Sequence, residues 1–75
     1  MSVKNVRVYV GQQLREAREH KKLTQQQVAK AVDRDDNYYA KVERGDVTPS
    51  LTLLIQLADF LEVEYKVLFP KRSKK

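Results

Sequence analysis

The chain has no cysteine, one histidine, two glycines and two prolines. Without cysteine there is neither a disulfide framework nor a thiolate metal site. A lone histidine, His20, builds no His-rich metal centre; near the end of a helix it reads as a favoured cation rather than a ligand. There is no glycine-rich phosphate loop and no acid/base set that helices would bring together, so an enzyme, a cofactor and a small-molecule ligand are not expected. No purely apolar run exceeds four residues, too short to span a membrane. The N-terminus lacks the apolar core of a secretory signal, and a cytoplasmic protein is expected.

What is present is one small domain. Seventy-five residues, 41% of them hydrophobic, support a small core. The net charge of +5 is unevenly spread. Residues 1–30 hold seven bases and two acids, residues 31–70 four bases and eight acids, and residues 71–75 four bases. A basic first half and a basic tail flank an acidic middle. Basic patches point to polyanions such as nucleic acid, although a lysine-rich tail serves solubility equally well.

Apolar spacing divides the chain into helices. Val6, Val10, Leu14 and Ala17 form a stripe over a helix from about Val6 to Lys21, capped by Asn5 or Ser2. A strand over Val6, Val8 and Val10 is the competing reading. Gly11 inside this helix costs about 1 kcal/mol relative to alanine and points to close packing. Thr24 and Gln27 form a capping box for a helix from Gln25 to about Val32, with Leu23 and Val28 as its hydrophobic staple. Asp35 caps a third helix, Asp36 to Arg44, and Gly45 stops it. Thr48 and Pro49 read as the cap and first residue of a fourth helix, whose face is Leu51, Leu54, Ile55, Ala58 and Leu61. A final turn or short helix spans Glu64 to Phe69, ended by Pro70.

The second and third helices and the short break between them describe a helix-turn-helix. Spacing alone is a weak signal. The residues add to it: Val10-Gly11-Gln12-Gln13-Leu14-Arg15-Glu16-Ala17-Arg18 and Leu23-Thr24-Gln25-Gln26-Gln27-Val28-Ala29 resemble the opening of the Cro/cI-type (XRE) helix-turn-helix family. Asn37 through Gly45, Pro49 through Leu54, and Leu61 through Pro70 resemble its later motifs. The resemblance implies an all-α, compact five-helix, lambda-repressor-like domain over residues 10–70. Residues 1–9 would extend the first helix, and 71–75 would be a disordered basic tail.

The resemblance also implies roles. Val28, Ala29, Val32, Tyr39 and Val42 match the buried corner, and Arg18 and Glu43 match an ion pair between the first and third helices. Asp36, Asn37 and Lys41 fall on base-reading positions. Their chemistry fits in part: asparagine pairs with adenine, lysine donates to guanine and aspartate accepts from cytosine. Thr24, Gln25, Tyr38, Arg44, Lys21 and Lys30 would meet the DNA backbone. The expected partners are double-stranded DNA and a second copy of the chain, joined through one of its terminal segments.

Several residues depart from the family pattern. Asp33 and Glu62 stand where glycine is usual, Arg34 replaces a small apolar residue, and the loop Asp46-Val47-Thr48 has no base. Asp33, Asp35 and Asp36 gather at the front of the recognition helix, where they stabilise the helix dipole but repel phosphate. Lys4, Arg7, Lys21, Lys22, Lys30 and Arg44 must offset them. The alternative is a protein-interaction module on the same fold, its acidic helix turned to a basic partner.

Overall fold

The computed structural model describes residues 2–69. Pro70 and the basic tail, 71–75, lie outside the described residues. Four α-helices and one 3-10 turn follow in order: α1 Val3–His20, α2 Gln25–Ala31, α3 Asp36–Arg44, α4 Leu51–Leu61, and the turn Tyr65–Leu68. The fold is all-helical among these residues, but the fifth element is a single 3-10 turn, not a full helix.

Helix α1 starts three residues earlier than the apolar stripe alone indicates, because Ser2 caps it: its hydroxyl accepts from the Asn5 amide at 3.1 Å. The strand alternative fails on the same stripe. Val10 and Leu14 are buried while Val8, on another face, is 40% exposed. Past the end of α1, Lys22 takes a left-handed backbone (φ 60°), and the Leu23 amide bonds back to the Arg18 carbonyl. With lysine rather than glycine there, the sequence carries no sign of this reversal.

The capping box of α2 is formed in both directions, Gln27 amide to Thr24 Oγ1 at 3.0 Å and Thr24 amide to Gln27 Oε1 at 2.8 Å. The chain then reverses through left-handed Asp33 (φ 59°), a conformation aspartate tolerates better than most residues. Asp35 Oδ2 accepts from the amides of Asn37 and Tyr38 and starts α3; left-handed Gly45 (φ 80°) ends it. Ala29 is 1% exposed where α2 meets α3, so the corner has no room for a larger side chain.

Helix α4 corrects two expectations. Its cap is Ser50, whose hydroxyl accepts from the Leu53 amide, so the helix begins at Leu51 and Thr48-Pro49 lies before it. Its buried face is Leu53, Leu57, Ala58 and Leu61; Leu51 and Ile55 are 66% and 42% exposed and Leu54 is only partly covered. Thr52, Gln56 and Asp59 mark a narrow polar face, but the apolar arc beside it is so wide that periodicity did not fix its centre. The left-over residues matter: Leu51, Leu54, Ile55, Tyr65, Leu68 and Phe69 line an apolar groove of about 190 Å³. The terminal turn forming its rim is tied down by Tyr9, whose hydroxyl donates to the Val67 carbonyl at 2.7 Å, and by Tyr65, which donates to Asp59 Oδ1 at 2.7 Å. No described helix is long and apolar enough to cross a membrane.

Gly11 sets the distance between α1 and α3. A Cβ there would fall 2.6 Å from the Val42 carbonyl oxygen and closer still to that of Glu43. Both obstacles are backbone, which cannot swing away. Gly11→Ala gains about 1 kcal/mol of helix propensity, but overpacking costs about 1–3 kcal/mol and should dominate. Urea unfolding of the two proteins checks the sign. A variant as stable as the parent would mean that α1 and α3 do not meet this closely.

Candidate nucleic-acid interface

The orientation of α3 is fixed by a buried charge pair. Arg18 reaches Glu43 with two bonds, Nε to Oε2 at 2.6 Å and Nη2 to Oε1 at 3.1 Å, while its Nη1 donates to the Leu23 carbonyl at 2.8 Å. The side chains are 12% and 2% exposed. Gln25 Nε2 donates to Glu43 Oε1 at 2.9 Å, so one carboxylate holds α1, α2 and α3 together. Burial alone would raise the Glu43 pKa. The hydrogen bonds from Arg18 and Gln25 and the Arg18 charge outweigh it, and the carboxyl sits below its ordinary value. The buried Tyr39 hydroxyl lies beside this pair with no partner at full hydrogen-bond geometry; burial first, and then Glu43, raise its pKa.

With its inner face thus held, α3 turns Asn37, Lys41 and Arg44 outward; all three are exposed, and their spacings of four and three put them on one face. Asp36 and Tyr38 are half-buried, Tyr38 packing partly on the core. Between α2 and the start of α3 lies an open polar cleft of about 670 Å³, lined by Gln26, Lys30, Arg34 and the aspartates 33, 35 and 36. Gln26 was not among the expected site residues, and nothing in its spacing distinguishes it from its glutamine neighbours.

The other expected backbone contacts divide by their present partners. Lys30 is exposed and stands in no ion pair among the described residues. Lys21 is committed to Glu62 at the end of α4, Nζ to Oε1 at 2.7 Å, and holds that carboxyl below its ordinary value. Arg44 pairs with Asp46 Oδ2 at 2.9 Å. The Thr24 hydroxyl is occupied by the α2 cap, and Gln25 spends one amide hydrogen on Glu43. Among the described residues no three His, Cys, Asp or Glu side chains gather as a metal ion would require.

A family model described as helix-turn-helix matches residues 14–68. The fold is similar to the restriction-modification controller protein C.AhdI from Aeromonas hydrophila, with a TM-score of 0.76 and 40% identity over 83% of this chain and 94% of that one. The sequence is 36% identical over 66 residues to Multiprotein-bridging factor 1 of Candida albicans. That match covers 88% of this chain and 44% of the relative, so the chain spans less than half the length of the curated relative it matches.

The charge pair yields a test. Removing one partner strands the other in the core, at a cost of about 3–5 kcal/mol. Arg18→Ala and Glu43→Ala should each leave a largely unfolded chain by circular dichroism, and Arg18→Met with Glu43→Leu should restore the fold. The lowered Glu43 pKa also sets a sign with pH. Its stabilisation is fully present above the unfolded value, about 4.3, and is lost as pH falls through the lower folded value. Melting temperature should therefore drop more steeply below that pH in the parent than in the double variant.

Proposed function

The chain belongs to the Cro/cI-type helix-turn-helix family, and from that premise we propose that it is a sequence-specific DNA-binding transcriptional regulator, acting in the cytoplasm as a homodimer on a palindromic operator with α3 in the major groove. The observation that carries this reading is the rigid α3, anchored from behind by Arg18 and Glu43, with Asn37 and Lys41 on its free face. In the groove Asn37 pairs with adenine, Lys41 donates to guanine, and Asp36 accepts from cytosine N4. The likeness to a restriction-modification controller protein supports a regulator that works through DNA.

The backbone contacts follow from what each group has free. Gln25 keeps a second amide hydrogen for phosphate at the N-terminus of α2, where the dipole also attracts an anion. Thr24 flanks it, Tyr38 packs on sugar or donates to phosphate, and Lys30 supplies charge. Lys21 and Arg44 contribute only by exchanging Glu62 and Asp46 for phosphate. The acidic cleft at Asp33, Asp35 and Asp36 favours a second reading, a protein-interaction surface for a basic partner.

A single module of this size buries roughly 600–1,000 Å² on DNA, which favours a pair. The apolar groove of α4 and the terminal turn supplies the two-fold contact in this proposal. It holds both a hollow and protruding rings, with Tyr65 and Phe69 50% and 56% exposed, as a self-complementary surface needs. Two recognition helices would then stand about 34 Å apart, one turn of DNA.

Binding-site selection on random duplexes, followed by titration, tests the scheme. Asn37→Ala should cost about 1–3 kcal/mol on the selected duplex and relax preference at one base pair. Lys30→Ala should weaken matched and scrambled duplexes alike and lower the salt slope by about one unit. Ile55→Glu should yield a folded monomer in sedimentation equilibrium and lose the palindrome preference. Equal losses for Asn37→Ala on both duplexes would move the assignment to the protein-interaction reading.

A further inference from the structure

A helix in the major groove has phosphate backbone on both sides, and only one flank of α3 has an evident set of donors. The start of α2 provides Thr24 and Gln25, and its last turn Lys30. The other flank is the loop after Gly45, where Asp46, Val47 and Thr48 contain no base. Arg44, next to it, is neutralised by Asp46 at 2.9 Å.

A base does reach this loop, from α1. A Cβ on Gly45 would fall 2.8 Å from the Cα of Val8, so the sixth residue of α1 lies against the end of α3. Its neighbour Arg7 extends to the loop, Nη1 donating to Thr48 Oγ1 at 3.4 Å. Arg7 has no carboxylate within ion-pair distance among the described residues, and its Nε is buried without a partner. The guanidinium is thus positioned by the fold, yet its charge is unspent. Lys4, exposed one turn earlier on the same side of α1, adds a second positive charge.

The geometry points to Arg7 and Thr48 as a phosphate-binding pair that serves the flank of α3 opposite α2. The free guanidinium hydrogens of Arg7 and the hydroxyl hydrogen of Thr48, whose oxygen already accepts from Arg7, donate to one DNA phosphate. Placing the base on α1 rather than on the loop keeps it rigid, so little side-chain freedom is lost on binding. This inference rests on the DNA-binding reading above and extends it to residues outside the helix-turn-helix.

The test is a salt titration of the intact chain on the selected duplex and on a scrambled one. Arg7→Ala should lower the salt slope by about one unit and weaken both duplexes alike, about tenfold at 0.1 M salt, since each phosphate contact contributes a slope near 0.9. Arg7→Lys keeps the charge and should keep the slope. Thr48→Val should weaken both duplexes with an unchanged slope. A merely structural role for Arg7 would move the melting temperature and leave the slope at its parental value in Arg7→Ala. That result, with Lys41→Ala still weakening the selected duplex, overturns the Arg7 assignment alone. If the parent protein binds neither duplex, the DNA-binding reading falls and this inference falls with it. Should Arg7→Ala not fold, Arg7→Gln, which retains a donor to Thr48 without the charge, reads the same slope.

Discussion

One carboxylate organises this domain. Glu43 sits on the inner side of the helix that would meet DNA, and it accepts from Arg18 of α1 and Gln25 of α2. A buried ion pair is a poor source of net stability, because desolvating two charges offsets most of their attraction. Its strength lies in geometry. A bidentate guanidinium–carboxylate pair accepts one orientation, whereas leucines in its place would tolerate several. For a helix proposed to present side chains in register with base pairs, that constraint is worth more than a few extra contacts. Gln25 is the point where this internal support meets the surface: one amide hydrogen belongs to the fold, and the other remains free.

The elements nearest the site were the most legible in the sequence. Both ends of α3 could be read because Asp35 and Gly45 each have one strong local preference, an aspartate cap and a left-handed glycine. The α2 capping box was equally plain, since Thr24 and Gln27 each satisfy the other. The start of α4 was harder. Thr48-Pro49 and Ser50-Leu51 both offer a cap followed by an acceptable first residue, and only the Ser50 bond to Leu53 decides between them. The face of α4 was illegible for a different reason. Thr52, Gln56 and Asp59 leave so wide an apolar arc that its buried centre depends on what α1 and α2 leave uncovered, which is tertiary information.

The candidate site was legible in its membership and less so in its pairing. Composition could not reveal that Lys21 faces Glu62, that Arg44 faces Asp46, or that Arg7 leans on Thr48, because each joins segments whose proximity the fold creates or residues with several possible partners. The reversal at Lys22 was hidden for a simpler reason: it is left-handed without glycine, and turn chemistry is read chiefly from glycine. Those at Asp33 and Glu62 showed only through the family resemblance, which puts glycine at both positions.

The acidic front of α3 is the feature least suited to DNA, and each member has a local reason to be there. Asp35 satisfies two amides that α3 would otherwise leave bare. Asp33 occupies the left-handed turn, and Asp36 lies in the first turn, where the helix dipole favours it. The fold therefore gains from charges that phosphate resists. Among the described residues Lys4, Arg7, Lys22, Lys30, Arg34 and Lys41 stand in no ion pair; Lys4 and Arg7 lie on α1, and Lys30, Arg34 and Lys41 on the helix-turn-helix itself. In the proposed complex, affinity comes from the flanks and discrimination from the front. A carboxylate entering the groove tolerates only a base edge that donates to it, and a misplaced register sets it against phosphate or a guanine acceptor. In that proposed complex, weak general attraction at the tip of α3 sharpens the choice of site, provided that the flanks hold the domain on the duplex long enough to make it.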